Sequence, residues 1–201
     1  MKKLLLSILY SIAILHAATL EHMTLNDNDF SMVTEDYDIY DSKGTVMKFY
    51  FEARNNDLLH RFSFTLHDET GTCSAKSIED GAYEIEGNTI TLYSFFDRRG
   101  RIYDVPYGAR IIRYEVQKDG SLKRTESRLY IETSRKGFDK ESAIQFLWKP
   151  AVTEEEKKKF KEYIKSVERQ YKGTFVFGDE AKELIEEVKR ALDRKMSKRW
   201  K

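Results

Sequence analysis

His60 lies in a stretch, residues 58–67, where Leu58, His60, Phe62, Phe64 and Leu66 alternate with Arg61, Ser63, Thr65 and His67. Such alternation puts the imidazole on the apolar face of a strand, where it needs a hydrogen-bond partner or a ligand. The simpler reading is a buried histidine satisfied by a neighbouring carbonyl or tyrosine. His67, Asp68, Glu69 and Cys73 follow closely, and with His60 they hold the donor atoms of a zinc or copper site. Their spacing matches no metal motif, and the opposite parity of His60 and His67 sends them to opposite faces, so no metal is assigned. Cys73 has no evident base or orienting group beside it, which leaves no nucleophile. The expectation is therefore a non-enzymatic protein with no catalytic residues and no cofactor.

Arg98, Arg99 and Arg101 gather in the segment Asp97-Arg98-Arg99-Gly100-Arg101. Three guanidinium groups there can bind a phosphate or carboxylate, with Tyr103, Pro106 and Tyr107 as an aromatic rim; the plainer reading is a solvated basic loop. Asp27, Asp29, Glu35, Asp36, Asp38 and Asp41 carry oxygen donors of the kind calcium takes, without the glycine and terminal glutamate of an EF-hand loop,. Near the C-terminus Lys189, Arg190, Arg194, Lys195, Lys198, Arg199 and Lys201 face a single acid, Asp193, with Trp200 among them. That asymmetry suits an anionic membrane surface or an acidic envelope partner, and equally a helix end matched to its dipole.

The N-terminus bounds where such chemistry would operate. Lys2 and Lys3 precede an uncharged apolar run at residues 4–15, which ends at Ala17 and Ala18; that order reads as a secretory signal peptide covering residues 1–18. The run is shorter than a membrane-crossing helix requires. The expected location is the periplasm or the exterior after cleavage. Removal of residues 1–18 takes two lysines from 35 basic side chains and none of the 34 acids, which leaves a formal net charge of −1 and gives no reason to expect a nucleic-acid partner. A single cysteine offers no intramolecular disulfide, so burial must hold the fold together.

The elements that must position these residues fall into two regimes. Up to Trp148 the hydrophobic period is two. Residues 45–54 place Met47, Phe49, Phe51 and Ala53 on one face, and residues 58–67 follow after the turn residues Asn55, Asn56 and Asp57,. Gly87-Asn88 joins residues 82–86 to 89–96, with Tyr83, Ile85, Ile90 and Leu92 sharing a face; Asp119-Gly120 joins residues 111–118 to 122–133, with Ile112, Tyr114 and Val116 inward,. Further strands are expected at residues 33–40, 73–78 and 143–149, about eight in all. Beyond Pro150 the period becomes 3.6. Thr153 and Glu156 form a capping box before Phe160, Tyr163, Ile164, Val167 and Tyr171, and Asp179 opens a second helix bearing Ala181, Leu184, Ile185, Val188 and Leu192,. The expected fold is α+β: residues 19–150 as an antiparallel meander curled into a barrel, with an open or sandwiched sheet as the competing architecture, and residues 151–201 as a helical hairpin packed on it.

The segment Gly81-Ala82-Tyr83-Glu84-Ile85-Glu86-Gly87-Asn88-Thr89-Ile90-Thr91-Leu92 resembles the paired strands of lipocalin-like (calycin-type) domains of bacterial envelope proteins. The Gly-x-Trp signature is absent, since Thr45 and Val46 follow Gly44. The resemblance implies one barrel, a helix against its wall, a bound small apolar ligand and no catalytic residues. On this reading Phe49, Phe51, His60, Phe62, Phe64, Tyr83 and Tyr114 line a pocket for a small apolar or amphipathic ligand. The alternative is an envelope interaction protein whose helical hairpin docks a protein partner or a membrane surface.

Overall fold

The computed structural model describes residues 18–55, 57–72, 75–100, 107–131 and 153–199. Nine strands follow one another across a single sheet in chain order. They are β1 (Thr19–Leu25), β2 (Asn28–Ile39), β3 (Ser42–Glu52), β4 (Leu58–Thr72), β5 (Ala75–Glu86), β6 (Thr89–Gly100), β7 (Tyr107–Val116), β8 (Leu122–Ile131) and β9 (Thr174–Phe175). Two helices, α1 (Glu154–Tyr171) and α2 (Gly178–Arg199), flank β9. Neighbouring strands are antiparallel, except that β9 runs parallel to β8. The fold is mainly β with a C-terminal helical region, and hydrogen bonds do not close the sheet: β1 and β9 end the order.

Turn chemistry sets the registers. Asn26 and Asp27, at φ 50° and 62°, make the primed two-residue turn that brings Leu25 opposite Asn28,. Gly87, at φ 56°, lets Glu86 face Thr89. The acid-rich stretch from Asp27 to Asp41 thus runs from this turn along the whole of β2 to the turn before β3. Residues 75–78 and 82–86 of the expected segments belong to the one strand β5, while residues 73, 74 and 143–149 lie outside the described residues.

The sheet doubles back on itself. At one end the Asn26 amide donates to Asn88 Oδ1 (2.9 Å) and Asn26 Nδ2 donates to the Val116 carbonyl (2.9 Å), so the β1–β2 turn is tied to the β5–β6 turn and the end of β7. Between the layers lies an apolar core that includes Leu25, Phe30, Met32, Met47, Phe49, Phe64, Ile90, Leu92 and Ile112. Stacked rings run through it: Phe30 on Phe49 at 5.0 Å, Phe49 on Phe62 at 5.2 Å, and Phe62 on Tyr114 at 5.5 Å, the last reaching from β4 to β7. Side chains thus join what hydrogen bonds leave open.

The opposite face of β5–β8 carries a second core, where Ala82, Tyr93, Ala109 and Ile111 meet Ala181, Leu184, Val188 and Ala191 of α2. Those helical positions recur at three- and four-residue spacing and form one stripe. Full burial of Leu184 and Val188 contributes roughly 1.5–3 kcal/mol each. Glu187 fixes the helix azimuth by accepting from Arg113 (2.7 Å) and Arg128 (3.2 Å) on the sheet. α2 packs on the sheet, while α1 meets β9, where Glu168 accepts the Phe175 amide at 3.2 Å.

One irregularity positions the site. β4 and β5 pair only from His67↔Asp80 to Thr72↔Ala75, and the rest of each strand diverges. At the parting point β4 passes directly over Gly81: a Cβ there would sit 2.0 Å from the Thr65 carbonyl oxygen and 2.8 Å from the Phe64 ring. Only a glycine allows the strands to cross so closely. The result is a fork in the sheet.

Candidate functional site

Most of the aromatic residues expected to line a pocket sit in the space between the layers. Phe49 and Phe64 are buried in the apolar core, and Phe51, Phe62, Tyr83 and Tyr114 pack against that core. His60 is a correction. β3 and β4 pair at Phe49↔Phe62 and then at Tyr50↔His60, so Arg61 is an extra residue in the ladder. A bulge of this kind inverts the alternation beyond it. His60 is therefore exposed, bonded to Ser63 Oγ at 2.9 Å and edge-on to Tyr50, while the Arg61 guanidinium lies over the Phe51 ring at 4.9 Å.

The other candidates hold local partners. His67 bonds Asp80 at 2.8 Å. Asp68 accepts from Tyr37, from Ser42 at 2.8 Å and from Thr70 at 3.0 Å; burial first, and then this carboxylate, push the Tyr37 phenol up to about 12,. Asp29 accepts from Thr24, Asp36 from Thr45, and Glu35 from Lys48. No group of three or more His, Cys, Asp and Glu side chains gathers in metal-binding array among the described residues. Arg98 and Arg99 fall at the end of β6 opposite Ser77 and Lys76, and Tyr107 opens β7 opposite Asp97. Cys73, Arg101, Tyr103, Pro106, Trp200 and Lys201 lie outside the described residues. In the basic C-terminal stretch Lys189 pairs with Glu186 within α2, and Arg190 is exposed.

A Ser-His-Glu group on the first three strands was not anticipated. His22 Nδ1 lies 2.7 Å from Glu52 and 3.1 Å from Ser31 Oγ, and Ser31 also donates to Glu52. These bonds, Ser31's first, hold the Glu52 carboxyl below the usual carboxylate range. A hydrolytic triad needs the serine and the acid on opposite ring nitrogens. Here both meet Nδ1 and Ser31 is buried, so the cluster satisfies its own polar atoms.

The fork holds a cleft of about 460 Å³ lined by Glu21, Thr34, Thr45, Leu66, Tyr83, Glu84, Ala191, Arg194 and Lys195. Period two explains its floor. The inward stripe of β1 runs Leu25, Met23, Glu21; that of β2 runs Phe30, Met32, Thr34; that of β3 runs Phe49, Met47, Thr45,. At one level each stripe passes from apolar to polar, and the core ends in this cleft with Leu66 and Tyr83 as its apolar wall. α2 roofs it. Lys195 Nζ donates to the Leu66 carbonyl (2.9 Å) and the Gly81 carbonyl (2.6 Å), which lie on the two parted strands just beyond their last pair. Arg194 Nε bonds Glu84 Oε1 at 2.8 Å, and Tyr93 donates to Glu84 Oε2 at 2.9 Å. Burial, and then the charge of Glu21, raise the Tyr83 phenol.

Of the aromatic set expected to line a pocket, Tyr83 reaches this cleft. Glu21, Thr34, Thr45, Arg194 and Lys195 went unrecognised as cleft residues. Extending the face of Met47, Phe49 and Phe51 one step back to Thr45 would have found one of them. The chain matches no family model, no curated protein and no solved structure.

Proposed function

We propose that this chain is an exported, non-enzymatic binding protein that holds a small amphipathic ligand in the fork cleft, in the manner of a lipocalin-like carrier. The observation that carries the reading is the cleft: its volume of about 460 Å³ falls within the roughly 300–1,000 Å³ of small-molecule sites. Polar groups on its floor and Leu66 and Tyr83 on its wall suit a molecule with both characters. The barrel of this proposal is sealed by stacked rings and by Lys195, and its ligand enters between β4 and β5. Export rests on Lys2, Lys3 and the apolar run at residues 4–15,.

Docking through the C-terminal helices has less support, since the apolar stripe of α2 is already buried on the sheet. Displacement of an environment-sensitive dye, with native mass spectrometry of the purified chain, tests the ligand reading. Binding should be lost on Thr34→Trp, which fills the floor of the cleft. If the chain binds no dye and carries no ligand, the reading is wrong. A fusion of residues 1–18 to an enzyme active only outside the cytoplasm tests export.

A further inference from the structure

The charges around the cleft are unequally committed. Arg194 is taken by Glu84, through Nε at 2.8 Å and Nη2 at 2.5 Å, and Glu84 accepts from Tyr93 as well. Lys195 is spent on two backbone carbonyls. Thr45 donates to Asp36, a carboxylate on the next strand. Glu21 lines the cleft from β1 and has neither an ion pair nor a side-chain hydrogen bond among the described residues. An anionic head group would meet the Glu21 carboxylate and, at Arg194 and Lys195, would compete with the acceptors they already hold. A cationic one needs no rearrangement: its charge can face Glu21 while its apolar part lies on Leu66 and the Tyr83 ring, whose face also attracts cations.

We infer that the cleft selects an amphipathic cation, a substituted ammonium with a short apolar chain, through the Glu21 carboxylate. This rests on the reading of the cleft as a ligand site and adds to it the sign of the ligand. Burial first, and then the Glu21 charge, raise the Tyr83 phenol, so the carboxylate acts on the apolar wall of the same cleft.

The test uses the full chain and three probes with the same alkyl chain, each below its micelle concentration: decyltrimethylammonium, decyl sulfate and neutral decyl maltoside. Calorimetric titration should give tightest binding for the ammonium, and Glu21→Gln should weaken it about tenfold, as the loss of one partly solvated charge contact at close range would. The same variant should leave decyl maltoside unchanged and the melting temperature unaltered, because Glu21 is exposed and makes no side-chain bond among the described residues. Equal or better binding of the neutral or anionic probe, or a cation preference that survives Glu21→Gln, overturns the inference and leaves the cleft standing as a ligand site. Binding of none of the three probes overturns the ligand reading itself, and this inference with it.

Discussion

Replacing Lys195 by Met should open the fork. The thioether chain keeps the apolar stem, and its helix propensity is close to that of lysine, so the change removes little besides the ammonium. Lost with it are bonds of 2.9 and 2.6 Å to the Leu66 and Gly81 carbonyls. A hydrogen bond to a charged group is worth about 1.5–3 kcal/mol net, but Lys195 is only partly buried and water can reach the freed carbonyls. The expected cost is therefore about 2–4 kcal/mol in total. For a chain of this size that corresponds to a melting temperature lower by roughly 5–12 °C. Urea unfolding followed by circular dichroism should show a lower midpoint with an unchanged slope. Lys189→Met is the control, since its pair with Glu186 at 3.2 Å is exposed on both sides and should be worth less than about 0.5 kcal/mol. Equal midpoints for the two variants would refute the claim that Lys195 bridges the parted strands.

Further outcomes follow from the same geometry. The phenols of Tyr37 and Tyr93 are both pushed up from 10.0 to about 12, by burial first and then by Asp68 and Glu84 respectively. Because the folded values are raised, their stabilisation is present up to pH 10 and is lost as pH rises through 12. An ultraviolet titration of the 12 tyrosines should show late ionisation that Tyr37→Phe and Tyr93→Phe remove; if all phenols have ionised well before pH 12, the assignment fails. Gly81→Ala should cost about 3 kcal/mol, because the nearest obstacle to its Cβ is the Thr65 backbone oxygen at 2.0 Å, which cannot swing aside as a side chain would,. Gly87→Ala meets nothing within 4 Å and carries only the strain of its positive φ, about 1 kcal/mol; chemical denaturation that ranked it as the more damaging change would refute the crossing at Gly81.

Much of the architecture was legible in local patterns. Alternation in β3 and β6–β8, the turn residues Gly87-Asn88 and Asp119-Gly120, and the change to helical spacing beyond Pro150 pointed to an antiparallel meander followed by two helices. Each signal depends on neighbours only a few residues apart, within which the periods of strand and helix are set. The Asn26-Asp27 hairpin was hidden because Asp27 stands first in a run of acids that reads as calcium donors before it reads as a turn.

The site was decided elsewhere. Whether His60 faces the core depends on a single extra residue at Arg61, and a period-two pattern has no means of recording a bulge that arises from pairing with another strand,. The fork exists because β4 crosses Gly81 and then leaves β5. Its bridge joins Lys195 to carbonyls 129 and 114 residues earlier in the chain. The sequence by itself determined the repeating elements, since their cause is local sterics and alternating hydrophobicity. Only the tertiary structure decided which inward positions stay open and which charges remain uncommitted, because those depend on contacts between strands and a helix that lie far apart in the chain.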